Sequence, residues 1–598
     1  MNSSPYLHGN LKVMVSGNCA VAKWLAAQNP DFAALSDRIV ANSRTGSLDW
    51  RIDDEKTLFA KVIPAMVYTS WVSKDDPVAG VTIIVGSNLG YGINRVLSEA
   101  LPTHKIYVIE PDPAMLMACL GQTDYTPFLT SGRLTFLPPD REAIAKALQQ
   151  CDVAFLFGKI RLHVDLPSQQ LGPQYAQWHR VCRELLENLT IELSTLRHRQ
   201  DTMVGNELSN YPRAMADGSL KPLLDTAHGL SAVLYGAGPS LAEFGPRIAA
   251  AQSYCLHVGA LQTLPALQNV GIKPHFCMAI DYSEGMRNVY ARLDRDWAAD
   301  IPLLYSTKLD PEVLAAYPGP TIPLWTLGGM ASYVMKDHEL VLDAGGNVSV
   351  ALSRLLTLFG VDRILLVGQD FAWKGDASHA TGHHAGGGPT GINPKFIINI
   401  KDADGNTIHS ALSYTSALRD MERDIAKTQT RYYNLYGGGA VIGGSHPVDM
   451  NQVLLKGLLA SEPGSLDRFL TAFAAARRPN QWPPFEPRAP RWTTDLRNLQ
   501  KRLDKLFKKP EKNQADIHAA FQQARVFVRQ DPLYLPYLFN EVMEVTALVQ
   551  ARIKYTPQDA GLFKQLTKRI LTKVRRIDTV FSGRSDARET ETEAEHAA

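Results

Sequence analysis

Two short stretches carry residue types suited to holding and splitting a phosphate ester. In LYGAGPSL, Leu234 to Leu241, a Gly-x-Gly turn follows an apolar run and opens a helix. That arrangement aims backbone N–H groups and a helix N-terminus at an anion, and Gly236, Gly238, Pro239 and Ser240 form it. In LLVGQDFAWKGDASHATG an apolar strand ends on Gln369 and Asp370 and runs into a loop that carries His379. A carboxylate and an imidazole at such a place can take a proton from an attacking hydroxyl or stabilise a departing phosphate. Asn347 and Ser349 form a second polar turn, in GGNVSVAL, and Asp281 closes the apolar run of HFCMAIDYSEG. Tyr282 and Tyr305 sit where they could donate hydrogen bonds at the same rim or simply pack.

The glycine turn lacks two marks of a dinucleotide site. A third glycine would fall at Leu241, and an acid should end the next strand about 20 residues on to hold a ribose. The next apolar run, Tyr254 to Val258, leads instead to His257 and Gly259. A mononucleotide therefore stays open, as does a turn that holds no ligand. DAD, Asp402 to Asp404, matches a D-x-D metal motif in letters only: it stands in KDADGNT, whose Asp-Gly favours a hairpin. His379, His383 and His384 do not have a zinc spacing, so no metal site is assigned. A mobile lid that excludes water is the expectation for their loop.

These residues need a scaffold, and the apolar pattern supplies one. Between about residues 201 and 462, strands alternate with helices through short turns, which predicts a mostly parallel, doubly wound α/β sheet with its polar residues at the carboxyl ends of the strands. Residues 1–200 read as a Rossmann-like domain ending in a linking helix, roughly Gln174 to Arg199. Gly86, Gly90 and Gly92 with Glu110 resemble a methyltransferase-like turn, and DVAFLFGKIRLHVDLP, Asp152 to Pro167, reads as further strands. S-adenosylmethionine there is one alternative and a ligand-free scaffold the other. Residues 463–598 open with a Pro-rich stretch and continue as helices. Between Leu466 and Arg584, 23 basic side chains face 11 acidic ones, which suits either a solvated face or an acidic partner. The acidic tail RSDARETETEAEHAA has little to bury and should be disordered.

Bulk properties narrow the classes. A chain of 598 residues is too long for one core, and a net charge of only +2 gives no global case for nucleic acid or a membrane surface. The six cysteines include no C-x-x-C pair, which points to reduced thiols rather than a disulfide framework. With no basic-then-apolar leader and no apolar run long enough to span a bilayer, a cytoplasmic protein without a membrane span is expected.

Taken in order, LYGAGPSL, GIKPHFCMAID, GGNVSVAL and LLVGQDFAWKGDASHATG resemble the motility accessory factor (Maf) family of flagellin glycosyltransferases. SALRDMERDIAKTQTRYYNLYGGGAVIGG extends the likeness, which covers about residues 225 to 445. The same region is similar, more distantly, to bacterial sialyltransferases and to a pterin pyrophosphokinase group. The three-part layout favours the first: a Rossmann-like N-terminal domain, a central doubly wound sialyltransferase-like α/β domain and a helical C-terminal domain.

The resemblance implies transfer of a nonulosonic acid, of the pseudaminic or legionaminic type, from its CMP-activated form to Ser or Thr hydroxyls of flagellin, a step serving flagellum assembly and motility. By it, Gly236, Gly238, Pro239, Ser240, Asn347 and Ser349 hold the nucleotide, while His379, Asp281 and Asp370 are the catalytic candidates. No cofactor is required; stimulation by a divalent cation stays open. His257 departs from the small polar residue that the family often has after the second strand. Two other readings remain: an ATP-dependent 6-hydroxymethylpterin pyrophosphokinase, and a flagellin-binding factor without catalysis.

Overall fold

Apolar runs of five or six residues between glycine turns become parallel strands because helices cover both faces of the sheets they form. A computed structural model describes residues 4–30, 35–42, 44–72, 78–329, 333–373, 379–381, 383, 397–479, 484–509 and 513–583. By packing, the chain divides into two units. Met1–His198, Thr493–Gln530 and Phe539–Ile570 form the first; Arg199–Trp492, Asp531–Leu538 and Leu571–Ala598 form the second. The helical stretch after residue 462 supplies both units.

In the first unit, β1 (Ile39–Ala41) and β2 (Leu48–Trp50) pair antiparallel. β3 (Gly80–Val85), β4 (Lys105–Ile109), β5 (Leu134–Leu137) and β6 (Lys159–Val164) form a parallel sheet in the order β5-β4-β3-β6. The strand–turn–helix–strand unit expected around Gly86 is present, but its glycines serve packing. A Cβ at Gly86 would lie 3.0 Å from the Cβ atoms of Asp165 and Ser168, and one at Gly90 would clash with the Tyr125 hydroxyl. Of Asp152 to Pro167, expected as strands, only β6 is one; Asp152–Phe157 is helical. A six-residue apolar run fits either element by periodicity, and Gly158 separates them at a point where any side chain would overlap the Ala79 carbonyl.

Glu110, just past β4, stands where a ribose-binding acid would, yet its carboxylate is taken. It accepts from Ser87 N (2.6 Å) and Oγ (2.9 Å), Asp112 N (3.0 Å) and the Tyr175 hydroxyl (2.8 Å). Burial pushes its pKa up to about 7 from 4.5, and burial also raises that of Asp165. The folded chain thus keeps a proton on Glu110 that the unfolded chain releases near 4.5. The resulting stabilisation is complete below that value and lost as pH rises to about 7. Urea unfolding of the first unit should weaken across this window by up to about 1.4 kcal/mol per pH unit, and Glu110→Gln should remove most of that slope.

The second unit holds a nine-stranded sheet, every pair parallel. Its strands are β7 (Ser231–Tyr235), β8 (Leu256–Ala260), β9 (Phe276–Ala279), β10 (Leu303–Ser306), β11 (Thr321–Thr326), β12 (Val341–Leu342), β13 (Arg363–Val367), β16 (Arg431–Leu435) and β17 (His446–Val448). β14 (Ile397–Lys401) and β15 (Thr407–Ala411) form a separate antiparallel hairpin closed by Asp402 to Asn406, as the Asp-Gly predicted. The sheet order is β12-β11-β10-β9-β8-β7-β13-β16-β17. From β7 the chain winds outward on one side to β12, then crosses back to lay β13 on the other. The switch point lies between β7 and β13, where such sheets leave a crevice at the carboxyl ends.

Three helices fix that crevice. The linking helix, α1 (Gln174–Asp217), runs past its expected end and through Pro212. It is anchored by Asn210 Nδ2, which donates to the carbonyls of Thr307 (3.0 Å) and Leu309 (2.7 Å) beyond β10. After β7 comes α2 (Ser240–Ala249). The crossover between β12 and β13 is α3 (Val348–Leu358), whose Val350, Leu352 and Leu355 join Leu234, Val258 and Met278 in one buried cluster. Burying each such side chain contributes about 1.5–3 kcal/mol, so the α3 N-terminus is held firmly at the crevice.

Candidate functional site

At the switch point a cavity of about 110 Å³ is lined by residues from every neighbouring turn. Ala237 and Gly238 follow β7, and Ala260, Gln262 and Thr263 lie at the end of β8. Asn347, Val348 and Ser349 open α3, and the segment from Gly368 to Ala372 leaves β13. His379, His383 and Tyr414 complete the lining. The volume suits a phosphate-sized group and falls below the ~300–1,000 Å³ of whole-ligand pockets, so a larger ligand would extend out of it.

The glycine turn after β7 is built around the end of β13. Gly236 N donates to Val367 O (2.8 Å) and Gly238 N to Gly368 O (2.8 Å). A Cβ at Gly236 would lie 2.7 Å from the Gln369 amide, and one at Gly238 would lie 2.5 Å from Asp370 Oδ2. Asp370 is buried, and its carboxylate accepts from Ser240 N (2.8 Å) and Ser240 Oγ (2.5 Å). It thereby caps α2 with a fixed negative charge, where the helix dipole favours one. The glycines answer to this close approach, and the N–H groups of Gly236, Gly238 and Ser240 are spent within the protein. Gly238 and Asp370 line the cavity; Gly236, Pro239 and Ser240 are not among its lining residues.

Across the cavity α3 presents the other helix end. Asn347 Oδ1 accepts from Ser349 N (2.8 Å) and Val350 N (3.4 Å), an N-cap that leaves the Asn347 amide nitrogen as a donor. Phe371, at φ 46°, holds the loop beyond β13 in the left-handed region. Its carbonyl accepts from Ser410 Oγ (2.7 Å), and the Asp370 carbonyl accepts from Ala440 N (2.8 Å). Such a conformation persists only where neighbours over-determine it.

His379 reaches the cavity because Ala380 N donates to Ala237 O (2.8 Å), tying its loop to the glycine turn. The ring stacks on His383 at 4.0 Å between centroids and 4° between planes, and its Nε2 stands 3.5 Å from the Tyr414 hydroxyl. Burial raises the Tyr414 pKa, which keeps the phenol protonated and able to donate. His384 and most of the glycine-rich loop lie outside the described residues. Among the described residues there is no cluster of three or more His, Cys, Asp or Glu side chains placed to hold a metal, and all six cysteines are free. Among the same residues, no helix is long and apolar enough to cross a membrane.

Several expected residues are placed elsewhere. Asp281 is exposed, accepts from Ser283 N (2.9 Å) as a turn cap, and is absent from the cavity lining. Tyr305 is buried and its hydroxyl donates to Asp217 (3.1 Å), so it packs. His257 lies within β8, between Tyr235 and His275, with Nδ1 2.7 Å from the Tyr235 hydroxyl and Nε2 2.8 Å from Ser253 Oγ. Burial, aided by His275, pushes its pKa down to about 4, which makes it a neutral structural group. The strand ends two residues later than the sequence suggested, and Gln262 and Thr263 take the rim position that His257 was expected to fill.

The cavity thus lies at the strand-order reversal of a doubly wound α/β sheet. Over its whole length the chain shares the fold of a Maf glycosyltransferase from Magnetospirillum magneticum AMB-1, at 16% identity and a TM-score of 0.64, with 98% of each chain covered. Residues 205–376 match the family model described as 6-hydroxymethylpterin diphosphokinase MptE-like. A comparison with curated protein sequences gives no match.

Proposed function

We propose that the protein is a glycosyltransferase that moves a nonulosonic acid from a CMP-activated donor to a Ser or Thr hydroxyl of flagellin in the cytoplasm. The observation that carries this reading is the likeness to a Maf glycosyltransferase along the whole chain, beyond the central segment alone. The acceptor oxygen bonds to the anomeric carbon as the bond from that carbon to the phosphate oxygen breaks, and CMP leaves with the electron pair. His379 takes the acceptor's proton. Tyr414, protonated and 3.5 Å from the imidazole, holds the ring in place. Asp370 fixes the glycine turn and does not enter the chemistry. The CMP phosphate lies at the α3 end, where Asn347 and Ser349 face the cavity and positive backbone dipoles stabilise the leaving group. This chemistry calls for no metal, and any stimulation by a divalent cation would act on the donor's phosphate.

The match of residues 205–376 to a diphosphokinase model favours a second reading, pyrophosphate transfer from ATP to a pterin. Thermal shift separates the two. CMP at about 100 times its dissociation constant should stabilise the second unit by roughly 2.7 kcal/mol, and Asn347→Ala should reduce the shift. Stabilisation by ATP with Mg²⁺ and none by CMP would favour the diphosphokinase.

A further inference from the structure

The first unit contains a second cavity, of about 500 Å³, which the transfer chemistry leaves unused. Its lining residues all belong to that unit, and its volume falls within the ~300–1,000 Å³ of whole-ligand pockets. Close-packed interiors leave few spaces of this size. Phe157, Leu548 and Leu562 give it apolar walls, and the short side chains of Ala79 and Ala547 leave the room between them. Ala79 immediately precedes β3, while Ala547 and Leu548 belong to the helix Phe539–Gln550. Three charged side chains also line the space: Arg197, Glu544 and Arg552. Glu544 is already neutralised, because its Oε1 accepts from Arg197 Nη1 (3.2 Å) and Arg569 Nη2 (3.1 Å). Arg197 is steadied further by Asn540 Oδ1 (3.2 Å) and by the Phe157 ring, whose centroid is 5.5 Å from the guanidinium carbon. Arg552 commits only its Nε, to Asp559 (3.0 Å), and its two terminal nitrogens have no hydrogen-bond partner among the described residues. A guanidinium fork matches a carboxylate in geometry and charge. With its side chain 46% exposed, Arg552 stands at the mouth, so an apolar chamber opens beside an unspent anion-binding group.

We propose that this cavity binds a small amphiphilic acid, its apolar body enclosed between Phe157, Leu548 and Leu562 and its carboxylate held by Arg552. Two guanidinium groups against one carboxylate that is already paired select an anion over a cation of the same shape. The site is separate from the crevice of the second unit and does not depend on what that crevice holds.

Titration calorimetry of the full chain tests it, with octanoate, decanoate and octanol as probes. Octanoate should bind about 10-fold more tightly than octanol, the worth of one charged hydrogen-bonded contact at the mouth. Decanoate should exceed octanoate by about another 10-fold, since two more methylenes leave water. Arg552→Gln should weaken octanoate to the level of octanol and leave octanol unchanged. Ala547→Phe, which fills the chamber, should abolish binding of all three, and Ala551→Leu makes the same test with a smaller side chain if the phenylalanine variant does not fold. Equal affinity for octanoate and octanol in the wild type would overturn the proposal, as would undiminished binding in a folded cavity-filling variant. Failure of every probe to bind would overturn it too and leave the chamber to solvent or to a side chain of a protein partner.

Discussion

Asp370→Ala lowers the stability of the second unit by about 3 kcal/mol. The buried carboxylate takes two hydrogen bonds from Ser240, so its loss leaves a backbone N–H and a hydroxyl orphaned and removes the charge that caps α2. In a unit of this size that corresponds to a fall in Tm of roughly 4 °C. Asp370→Asn keeps the volume and one acceptor and should lose about half as much. Gly238→Ala should also destabilise, because its Cβ would meet the same carboxylate at 2.5 Å. Calorimetric melts of the variants check this. Unchanged stability with abolished turnover in Asp370→Ala would instead place the carboxylate in the chemistry.

His379→Ala reduces kcat for sugar transfer by about 10²- to 10⁴-fold, the usual worth of a positioned general base. CMP affinity should change little, since the phosphate is assigned to the other side of the cavity. Tyr414→Phe should cost less, because the phenol orients the imidazole and holds no proton in flight. Kinetics of donor turnover with saturating acceptor check both. A His379→Ala enzyme with undiminished kcat would move the base elsewhere.

The alternation of strands and helices was legible from apolar runs and glycine turns, because a parallel sheet buried on both faces writes continuous Val/Ile/Leu runs. The crevice was legible too, since turn residues after successive strands must share one edge. What each residue does there was harder to read. A Gly-x-Gly turn looks the same whether it makes room for a phosphate or for Gln369 and Asp370, and only the hydrogen bonds of Gly236 and Gly238 separate the two. A two-residue error in the end of β8 put His257 in place of Gln262 and Thr263, the kind of boundary that periodicity fixes least well. Tyr414 carries no local signature. It enters the cavity because the β14–β15 hairpin delivers its helix there, a long-range placement invisible in a short window.

The most direct measurement is the intact mass of flagellin after incubation with the purified protein and a CMP-activated nonulosonic acid. Mass increments of one sugar residue, with CMP released in equal amount and both lost in His379→Ala, are the expected result. Unmodified flagellin, from a protein that is folded and binds CMP, would contradict the assignment of this cavity as a glycosyltransferase site.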